Sequence, residues 1–239
     1  MLDTLRALLF YAGLLPHTIL FALLGIVVRP LPFFPRYWVV TRWTHITLWW
    51  LKCCCGLTHH VRGMENIPPG PAIIMCKHQS AWETMALQLI FPPQVWVLKR
   101  ELLWIPFFGW GLASLEPIAL NRRAGHKALR QLVAQGKQRL ARGIWVTLFP
   151  EGTRTAPGHR RRYNIGGGLL AAETGVPIVP VAHNAGTYWP RLSLRKRPGC
   201  IELVIGPVIS VNGRDAREIV ALAEEWIEST AQALLQESS

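Results

Sequence analysis

The pattern of hydrophobic positions divides the chain near residue 58. Residues 7–28 form a run of 22 positions without Asp, Glu, Lys or Arg, and a helix of that length can cross the hydrocarbon core of a bilayer. Residues 37–51 form a second apolar, tryptophan-rich segment that Arg42 and His45 interrupt, which is typical of an interfacial or re-entrant helix. We therefore predict that residues 1–58 form a membrane-associated helical hairpin, whose first helix either spans the bilayer or lies half-buried in it.

A cleaved secretory signal peptide is the alternative explanation of the first apolar run. Such a peptide has a shorter apolar region, followed by small residues at a cleavage site. The chain continues instead with RPLPFFP, which has three prolines in seven residues. These prolines end the helix and no cleavage site follows, so the pattern favours a retained anchor.

Beyond residue 58, short apolar runs alternate with longer helical patterns. Strands are predicted at 71–76, 94–99, 114–120, 144–149, 176–183 and 200–209. Helices are predicted to end near residue 90 and to cover 125–142 and 214–236. Strands separated by helices indicate an α/β domain over residues 59–239.

Charge and composition add a requirement for a negative partner. The net charge is +12 and eleven residues are tryptophan. A strongly basic chain fits anionic lipid, a phosphorylated substrate or nucleic acid, and tryptophan favours the boundary between apolar and wet surroundings.

The cysteines point to a reduced, cytosol-facing protein. There are five, an odd number, and Cys53, Cys54 and Cys55 are consecutive. This arrangement suits neither a disulfide framework nor a zinc site.

The stretch CKHQSAWETM, residues 76–85, allows two readings. Ser80 and Glu83 have the spacing of a capping box at the start of a helix, which explains both residues structurally. If His78 lies in the loop before that helix and folds back, the Glu83 carboxylate would fix the imidazole tautomer and leave the other ring nitrogen free as a base. The pattern alone leaves both readings open.

The stretch LFPEGTR, residues 148–154, is a second candidate. A buried strand ends in a turn that projects Glu151, Thr153 and Arg154 where α/β sheets bind ligands. From residue 117 to residue 163 there are eleven Lys or Arg and one acid, Glu151. That carboxylate could orient arginines, accept a hydrogen bond from a substrate hydroxyl, or form an ion pair that holds the turn.

The stretch IALNRR, residues 118–123, is a third. Arg122 and Arg154 both follow strand ends, and the planar guanidinium suits phosphate oxygens. Two ordinary surface arginines are the alternative.

Together these stretches resemble a known family. HQSAWE, LEPIALNRR, LFPEGTR and VPIVPVA occur in the order and spacing of the four sequence blocks of the glycerophospholipid acyltransferases, and most resemble the bacterial lysophosphatidate acyltransferases. The resemblance covers roughly residues 60–210. The chain departs from the usual pattern at Glu83, where the family usually has Asp, and at Asn121, where an acid often precedes the arginine.

The resemblance implies a fold, a reaction and a location. The fold would be glycerolphosphate-acyltransferase-like, with a mixed sheet flanked by helices. His78 would be the general base that Glu83 orients, and acyl-CoA or acyl carrier protein would donate the acyl chain to lysophosphatidate, with no permanently bound cofactor and no metal. Residues 104–111 would line the acyl tunnel, and the protein would sit on the cytoplasmic face of a bacterial inner membrane with anionic lipids. The acceptor and its phosphate would be held by Arg122, Glu151, Gly152, Thr153 and Arg154.

Other functions remain as alternatives. Ser80 or Cys76 could be a nucleophile, although no Gly-x-Ser-x-Gly elbow frames Ser80. The basic segment 158–168 is expected to line the acidic substrate or contact anionic headgroups, with a solvated basic face as the alternative. It lacks P-loop spacing and interleaved aromatic residues, so nucleic acid is not expected as a partner. An inactive membrane adaptor or an enzyme for another lysolipid is also compatible with the motifs. The remaining histidines considered are expected to be surface or core residues: His59, His60, His126 and His183.

Overall fold

The computed structural model describes residues 2–237. Within that range the helices are α1 Leu2–Val27, α2 Phe33–Val40, α3 Arg42–Cys55, α4 Trp82–Ile90, α5 Phe108–Ala113, α6 His126–Ala141, α7 Gly166–Thr174, α8 Ala185–Tyr188 and α9 Ala216–Glu237. The strands are β1 Leu57–Arg62, β2 Ile73–Cys76, β3 Gln94–Lys99, β4 Ile118–Leu120, β5 Trp145–Leu148, β6 Ile178–His183 and β7 Gly199–Ile205.

The strands form one mixed sheet. Their order is β1-β7-β6-β2-β5-β3-β4, and every neighbouring pair is parallel except β6 and β7, which are antiparallel. Strands β2 to β6 therefore end at the same edge, here called the carboxyl edge, and β7 begins there. The mixed sheet expected from the family resemblance is confirmed.

Helices cover both faces of the sheet because the central strands are apolar on both sides. Along β2, Ile73 and Met75 belong to one buried cluster, together with residues of α2, α6, α7 and α9. Ile74 and Cys76 point the other way, into a cluster with residues of α3, α4 and α8 and with Phe10 of α1. Burial on both faces explains why the strand is a continuous apolar run without polar alternation.

The N-terminal helices pack on the α/β domain. Helix α1 buries Ala7, Phe10, Ala22 and Gly25, so its contacts with the rest of the protein run along most of its length. Its other side exposes large apolar side chains, among them Leu5, Leu8, Leu9, Leu15 and Leu20. Within residues 2–237, α1 is the one helix long and apolar enough to cross a membrane.

Three parts of the fold differ from the sequence prediction. The second apolar segment, predicted over 37–51, is two helices that meet at Thr41. The strand predicted over 114–120 begins only at Ile118, because α5 and a turn precede it; in that turn Glu116 has a φ of 52° and pairs with Arg36 and Arg142. Strand β1 and helices α5, α7 and α8 had no counterpart in the prediction.

Helix α7 shows why such elements were missed. It begins with three consecutive glycines, which disfavour a helix locally, but these glycines allow close packing. A Cβ on Gly168 would lie 2.2 Å from the carbonyl oxygen of Ala216, and one on Gly167 would lie 3.0 Å from Leu148. Tertiary contact therefore decides the conformation of this segment.

Candidate active site

His78 and Glu83 meet at the carboxyl edge, directly after β2. The Nδ1 atom of His78 lies 2.8 Å from Oε1 of Glu83. The two residues can meet because His78 lies in the loop before α4, so the helical spacing that would separate them does not apply. The predicted fold-back of the histidine is therefore confirmed.

The Glu83 carboxylate is fully buried and holds the loop together. It accepts hydrogen bonds from the backbone N–H of Gln79 at 3.0 Å and from that of Ser80 at 2.8 and 3.0 Å. Burial raises the pKa of Glu83, but His183, His78 and the Ser80 N–H favour the anion more strongly, so the pKa lies below its usual value. The site therefore contains a stable buried carboxylate beside an imidazole.

The capping box is present in part. Glu83 accepts from the N–H of Ser80, as the box requires. The Ser80 hydroxyl, however, accepts from the N–H of Trp82 at 3.2 Å, and α4 begins at Trp82 with Ala81 in the N-cap position. One carboxylate thus serves both readings of the sequence, because it satisfies the helix start and contacts the imidazole.

The His78 ring is fixed on its face as well as at its edge. It stacks on Phe149 with ring centroids 4.0 Å apart and planes 14° from parallel. A proton on Nδ1, donated to Glu83, leaves the lone pair on Nε2, and within residues 2–237 no hydrogen bond involves Nε2. The side chain is 15% exposed, so this nitrogen belongs to a group that solvent and substrate can reach.

The turn after β5 clamps the backbone of His78. The His78 N–H donates to Oε1 of Glu151 at 3.2 Å. Its carbonyl oxygen accepts from Thr155, at 2.8 Å from the backbone N–H and 3.2 Å from the hydroxyl. The first and third sequence blocks, about 70 residues apart, are therefore joined at the residue that carries the imidazole.

A buried lysine lies behind this clamp. Lys77 is 1% exposed, and its Nζ is 2.6 Å from Glu228, 3.3 Å from the His159 carbonyl and 3.4 Å from Glu151. The Tyr163 hydroxyl donates to the same Glu228 oxygen at 2.9 Å. Lys77 thus links the His78 loop to the turn after β5 and to α9.

Glu151 is buried and faces Lys77. Of the readings that the sequence left open, the geometry matches an ion pair that holds the turn, with Lys77 as the cation. Burial raises the pKa of Glu151 to about 7, although Lys77 and the His78 N–H lower it. Burial outweighs both contacts, since Lys77 lies closer to Glu228, at 2.6 Å, than to Glu151, at 3.4 Å.

The predicted phosphate-binding residues lie beside the same turn. Arg122 follows β4 and donates from Nη1 to the carbonyl oxygen of Gly152, whose φ of 71° suits glycine. Thr153 and Arg154 are partly exposed. The second and third sequence blocks therefore meet as predicted, whereas their contact with a phosphate stays a prediction.

His183 is a neighbour that sequence analysis treated as an ordinary core residue. It is fully buried; its Nδ1 accepts from the Ala185 N–H at 3.2 Å and its Nε2 lies 2.8 Å from the Lys77 carbonyl. Nε2 is also 3.8 Å from Glu83, and burial lowers the pKa of His183. His183 ends strand β6, and β6 is next to β2 in the sheet. Its position near His78 could therefore have been predicted only with knowledge of the strand order.

Lys77, Tyr163 and Glu228 were also missed. Glu228 lies 151 residues after Lys77, on the helix that closes the chain, and no local pattern links them.

In the part of the chain that the structure describes, no group of three or more His, Cys, Asp or Glu has the arrangement of a metal site.

The two alternative nucleophiles are poorly placed. Cys76 is fully buried, and burial, with Glu83 and Glu151 adding to it, raises the pKa of its thiol well above the usual value. Ser80 is fully buried and its hydroxyl oxygen is used by the Trp82 N–H. The geometry therefore favours His78 over either residue as the reactive group.

An apolar pocket with a cavity volume of about 60 Å³ lies between α1, α3, α4 and α5 and opens to solvent. Phe107, Phe108 and Gly111, from the segment that was expected to line an acyl tunnel, lie on its wall, together with Phe21, Ala22 and Trp43. The described chain therefore has an apolar pocket under its N-terminal helices.

Comparison with known proteins agrees with this geometry. The acyltransferase family model matches residues 58–184, which include His78, Glu83 and the turn after β5. A 1-acyl-sn-glycerol-3-phosphate acyltransferase from Pseudomonas aeruginosa is 44% identical over 233 residues, covering 95% of this chain and 91% of that protein. The Escherichia coli protein of the same name is 34% identical, over 64% of this chain and 63% of its own length.

A solved structure supports the fold. The crystal structure of the 1-acyl-sn-glycerophosphate acyltransferase from Thermotoga maritima superimposes with a TM-score of 0.79, covering 97% of this chain and 95% of that one at 24% identity. The matched family model and the extent of the identity to the Pseudomonas protein together establish that this chain belongs to the acyltransferase family and is an acyltransferase.

Proposed function

We propose that this protein transfers an acyl chain from an acyl thioester to the free hydroxyl of lysophosphatidate, which gives phosphatidate for phospholipid synthesis. The observation that carries the proposal is the contact between His78 and the buried Glu83 carboxylate, with Nε2 left without a protein partner among residues 2–237. The names of the Pseudomonas and Escherichia coli relatives supply the acceptor.

In this mechanism His78 is a general base. Nε2 removes the proton from the acceptor hydroxyl as its oxygen attacks the thioester carbonyl. Glu83 holds the ring and stabilises the imidazolium that forms. When the carbon–sulfur bond breaks, the imidazolium returns the proton to the leaving thiolate, so that free thiol and ester are released and no acyl-enzyme is needed.

The acceptor phosphate is assigned to Arg122, Gly152, Thr153 and Arg154. Arg122 is already directed at the turn through its hydrogen bond to Gly152, and arginine suits phosphate oxygens. Glu151 is assigned a positioning role, because Oε1 faces Lys77 and the His78 N–H. This differs from the direct contact with the acceptor that the resemblance implied for Glu151.

The acyl chain is assigned to the apolar pocket beneath α1. Its aromatic and aliphatic wall would remove the chain from water. The donor would be acyl-CoA or acyl carrier protein, and the net charge of +12 favours either, since both carry phosphate.

The protein is proposed to lie on the cytoplasmic face of a bacterial inner membrane. Because α1 packs along the domain from Ala7 to Gly25, its exposed leucines fit a helix lying in the interface better than one crossing the bilayer. This arrangement would place the carboxyl edge of the sheet at the surface where the acceptor resides.

The test is phosphatidate formation by the full chain in vesicles. Acyl-CoA and acyl carrier protein thioesters are each offered with lysophosphatidate and with lysolipids that lack its phosphomonoester. Lysophosphatidate is expected to give the highest kcat/KM. Preference for another lysolipid would reassign the acceptor, and inactivity with every pair would favour the inactive membrane adaptor.

A further inference from the structure

The segment between α8 and β7, residues 189–198, exposes two leucines. We call it the arginine–leucine loop, after its sequence WPRLSLRKRP. Leu192 is 89% exposed, the most of any large apolar side chain in residues 2–237, and Leu194 is 67% exposed. Leu192 also has a φ of 60°, a costly conformation for a side chain of this kind.

All charged residues of the loop are basic. Arg191, Arg195 and Arg197 are exposed, and residues 185–201 contain no acid. Within the described chain, no ion pair involves any of these three arginines. The tip therefore combines apolar side chains with free positive charge, which is the composition of a segment that enters an anionic membrane interface.

A buried lysine fixes the loop on α1. Lys196 is 1% exposed, and its Nζ lies 4.7 Å from the ring centre of Phe10, 4.0 Å from that of Tyr11 and 4.4 Å from that of Trp189. It also donates to the Leu194 carbonyl at 2.9 Å. This cation–π contact joins the loop to the N-terminal helix at the level of the exposed Leu8 and Leu9.

The loop is also tied to the candidate active site. It lies at the carboxyl edge, because β6 ends and β7 begins there. The Arg191 guanidinium donates to the Arg154 carbonyl at 3.3 Å. A surface that contacts lipid would therefore adjoin the turn assigned to the acceptor phosphate.

We propose that the arginine–leucine loop is a second membrane-contact element, which inserts Leu192 and Leu194 into an anionic bilayer and places its arginines on lipid phosphates. A membrane fits better than a protein partner because the loop contacts α1 through Lys196, and α1 exposes large apolar side chains of its own. The inference rests on the membrane association in the proposed function and is independent of the acyl transfer.

Membrane depth of single labels tests the proposal directly. The exposed Cys53 and Cys200 are replaced by serine, and nitroxide labels are placed at residue 192 or 194 of the full chain. A label at Leu8 reports whether α1 contacts the membrane, and one at the exposed Asn212, at the opposite edge of the sheet, is the aqueous control. Vesicles contain phosphatidylcholine with or without phosphatidylglycerol.

The labels at 192, 194 and 8 are expected to be accessible to oxygen and shielded from a water-soluble nickel complex, whereas the label at 212 is not. A label at 8 in the bilayer with 192 and 194 in water would overturn the inference while membrane association stands. If the label at 8 is also in water, both fail. Neither outcome bears on the chemistry of acyl transfer.

Vesicle partitioning gives a second measurement. The double variant Leu192→Ser/Leu194→Ser is expected to bind anionic vesicles about tenfold more weakly, with activity in detergent micelles unchanged. The matched control is Val208→Ser/Leu222→Ser, which removes two exposed apolar side chains elsewhere and should bind as the wild type does. Equal binding by all three proteins would contradict the proposal.

The charge contribution is tested with Arg195→Gln/Arg197→Gln. Each arginine is expected to contribute about fivefold to binding on vesicles with phosphatidylglycerol. The variant should match the wild type on vesicles of phosphatidylcholine alone. An equal loss on both kinds of vesicle would show that the arginines do not contact anionic lipid.

Discussion

At the residue scale, the carboxylate at position 83 performs two tasks. Its oxygens accept from two backbone N–H groups and from the His78 ring. Glutamate reaches all three donors from the first turn of α4. The extra methylene relative to the usual Asp therefore does not prevent the imidazole contact.

Substitutions at Glu83 separate the two tasks. Glu83→Asp is expected to retain measurable activity, because a shorter carboxylate can still hold the His78 tautomer after a small shift of the loop. Glu83→Gln should lower kcat by at least about 10²-fold, because its amide cannot stabilise the imidazolium. The measurement is kcat for phosphatidate formation. Equal activity of Glu83→Gln and wild type would exclude an orienting role for the carboxylate.

Glu151 and Glu83 should make the free energy of unfolding depend on pH in opposite directions. The folded pKa of Glu151, about 7, lies above its unfolded value, so its contribution is fully present below the unfolded pKa and is lost as pH rises towards 7, by roughly 3 kcal/mol. The folded pKa of Glu83 is lowered, so its contribution is present above the unfolded pKa and lost as pH falls.

Chemical denaturation of the detergent-solubilised protein between pH 4.5 and pH 7.5 measures these slopes. Glu151→Gln is expected to gain stability relative to wild type as pH rises through this range. Glu83→Gln is expected to lose stability relative to wild type as pH rises from the lower end of the range. Parallel curves for Glu151→Gln and wild type would show that the Glu151 pKa is not raised by folding.

At the element scale, the His78 loop depends on contacts from distant parts of the chain. Lys77→Met should destabilise the fold by about 3–5 kcal/mol, because it leaves the buried Glu228 with only the exposed Arg160, 3.9 Å away. Glu228→Gln in the same chain should recover part of that loss. The matched control is Lys137→Met, which breaks an exposed pair with a similar 2.7 Å distance and should cost about 0–1 kcal/mol. Equal losses in the two single variants would contradict the account.

The sequence predicted those elements whose apolar pattern is local. The predicted strands other than 114–120 have ends within four residues of the observed ones. The same is true of the predicted ends of helices α4, α6 and α9. Helix α7 was missed because its glycines, which disfavour a helix locally, allow close contact with α6, β5 and α9. Strand β1, whose sequence is LTHHVR, was missed because its polar residues lie at the exposed edge of the sheet.

The same distinction holds for the candidate site. His78, Glu83 and the turn at Glu151 were predicted because short motifs carry them. Lys77, the cation that faces Glu151, was not predicted. That prediction would have required knowing that the Lys77 side chain points back towards α9. His183 required the order of the strands. Short motifs therefore identify the candidate reacting groups, whereas the groups that hold them follow from the topology of the sheet.

At the scale of the whole molecule, the proposed reacting groups and the arginine–leucine loop lie at the same edge of the sheet. The carboxyl edge carries His78 and Arg122, and the arginine–leucine loop lies at the same edge, fixed to α1 by Lys196. An enzyme whose acceptor and product are both lipids needs this arrangement, because neither has to leave the membrane for the reaction. The basic net charge would hold that edge on anionic lipid.

Whether His78 is the base is decided by the rate of phosphatidate formation by His78→Ala and by wild type, on the same vesicles with the same acyl thioester. In the variant, kcat is expected to fall by about 10²–10⁴-fold, while vesicle binding and the thermal midpoint stay close to those of wild type. Activity of His78→Ala within a few-fold of wild type would contradict the assignment of His78 as the base.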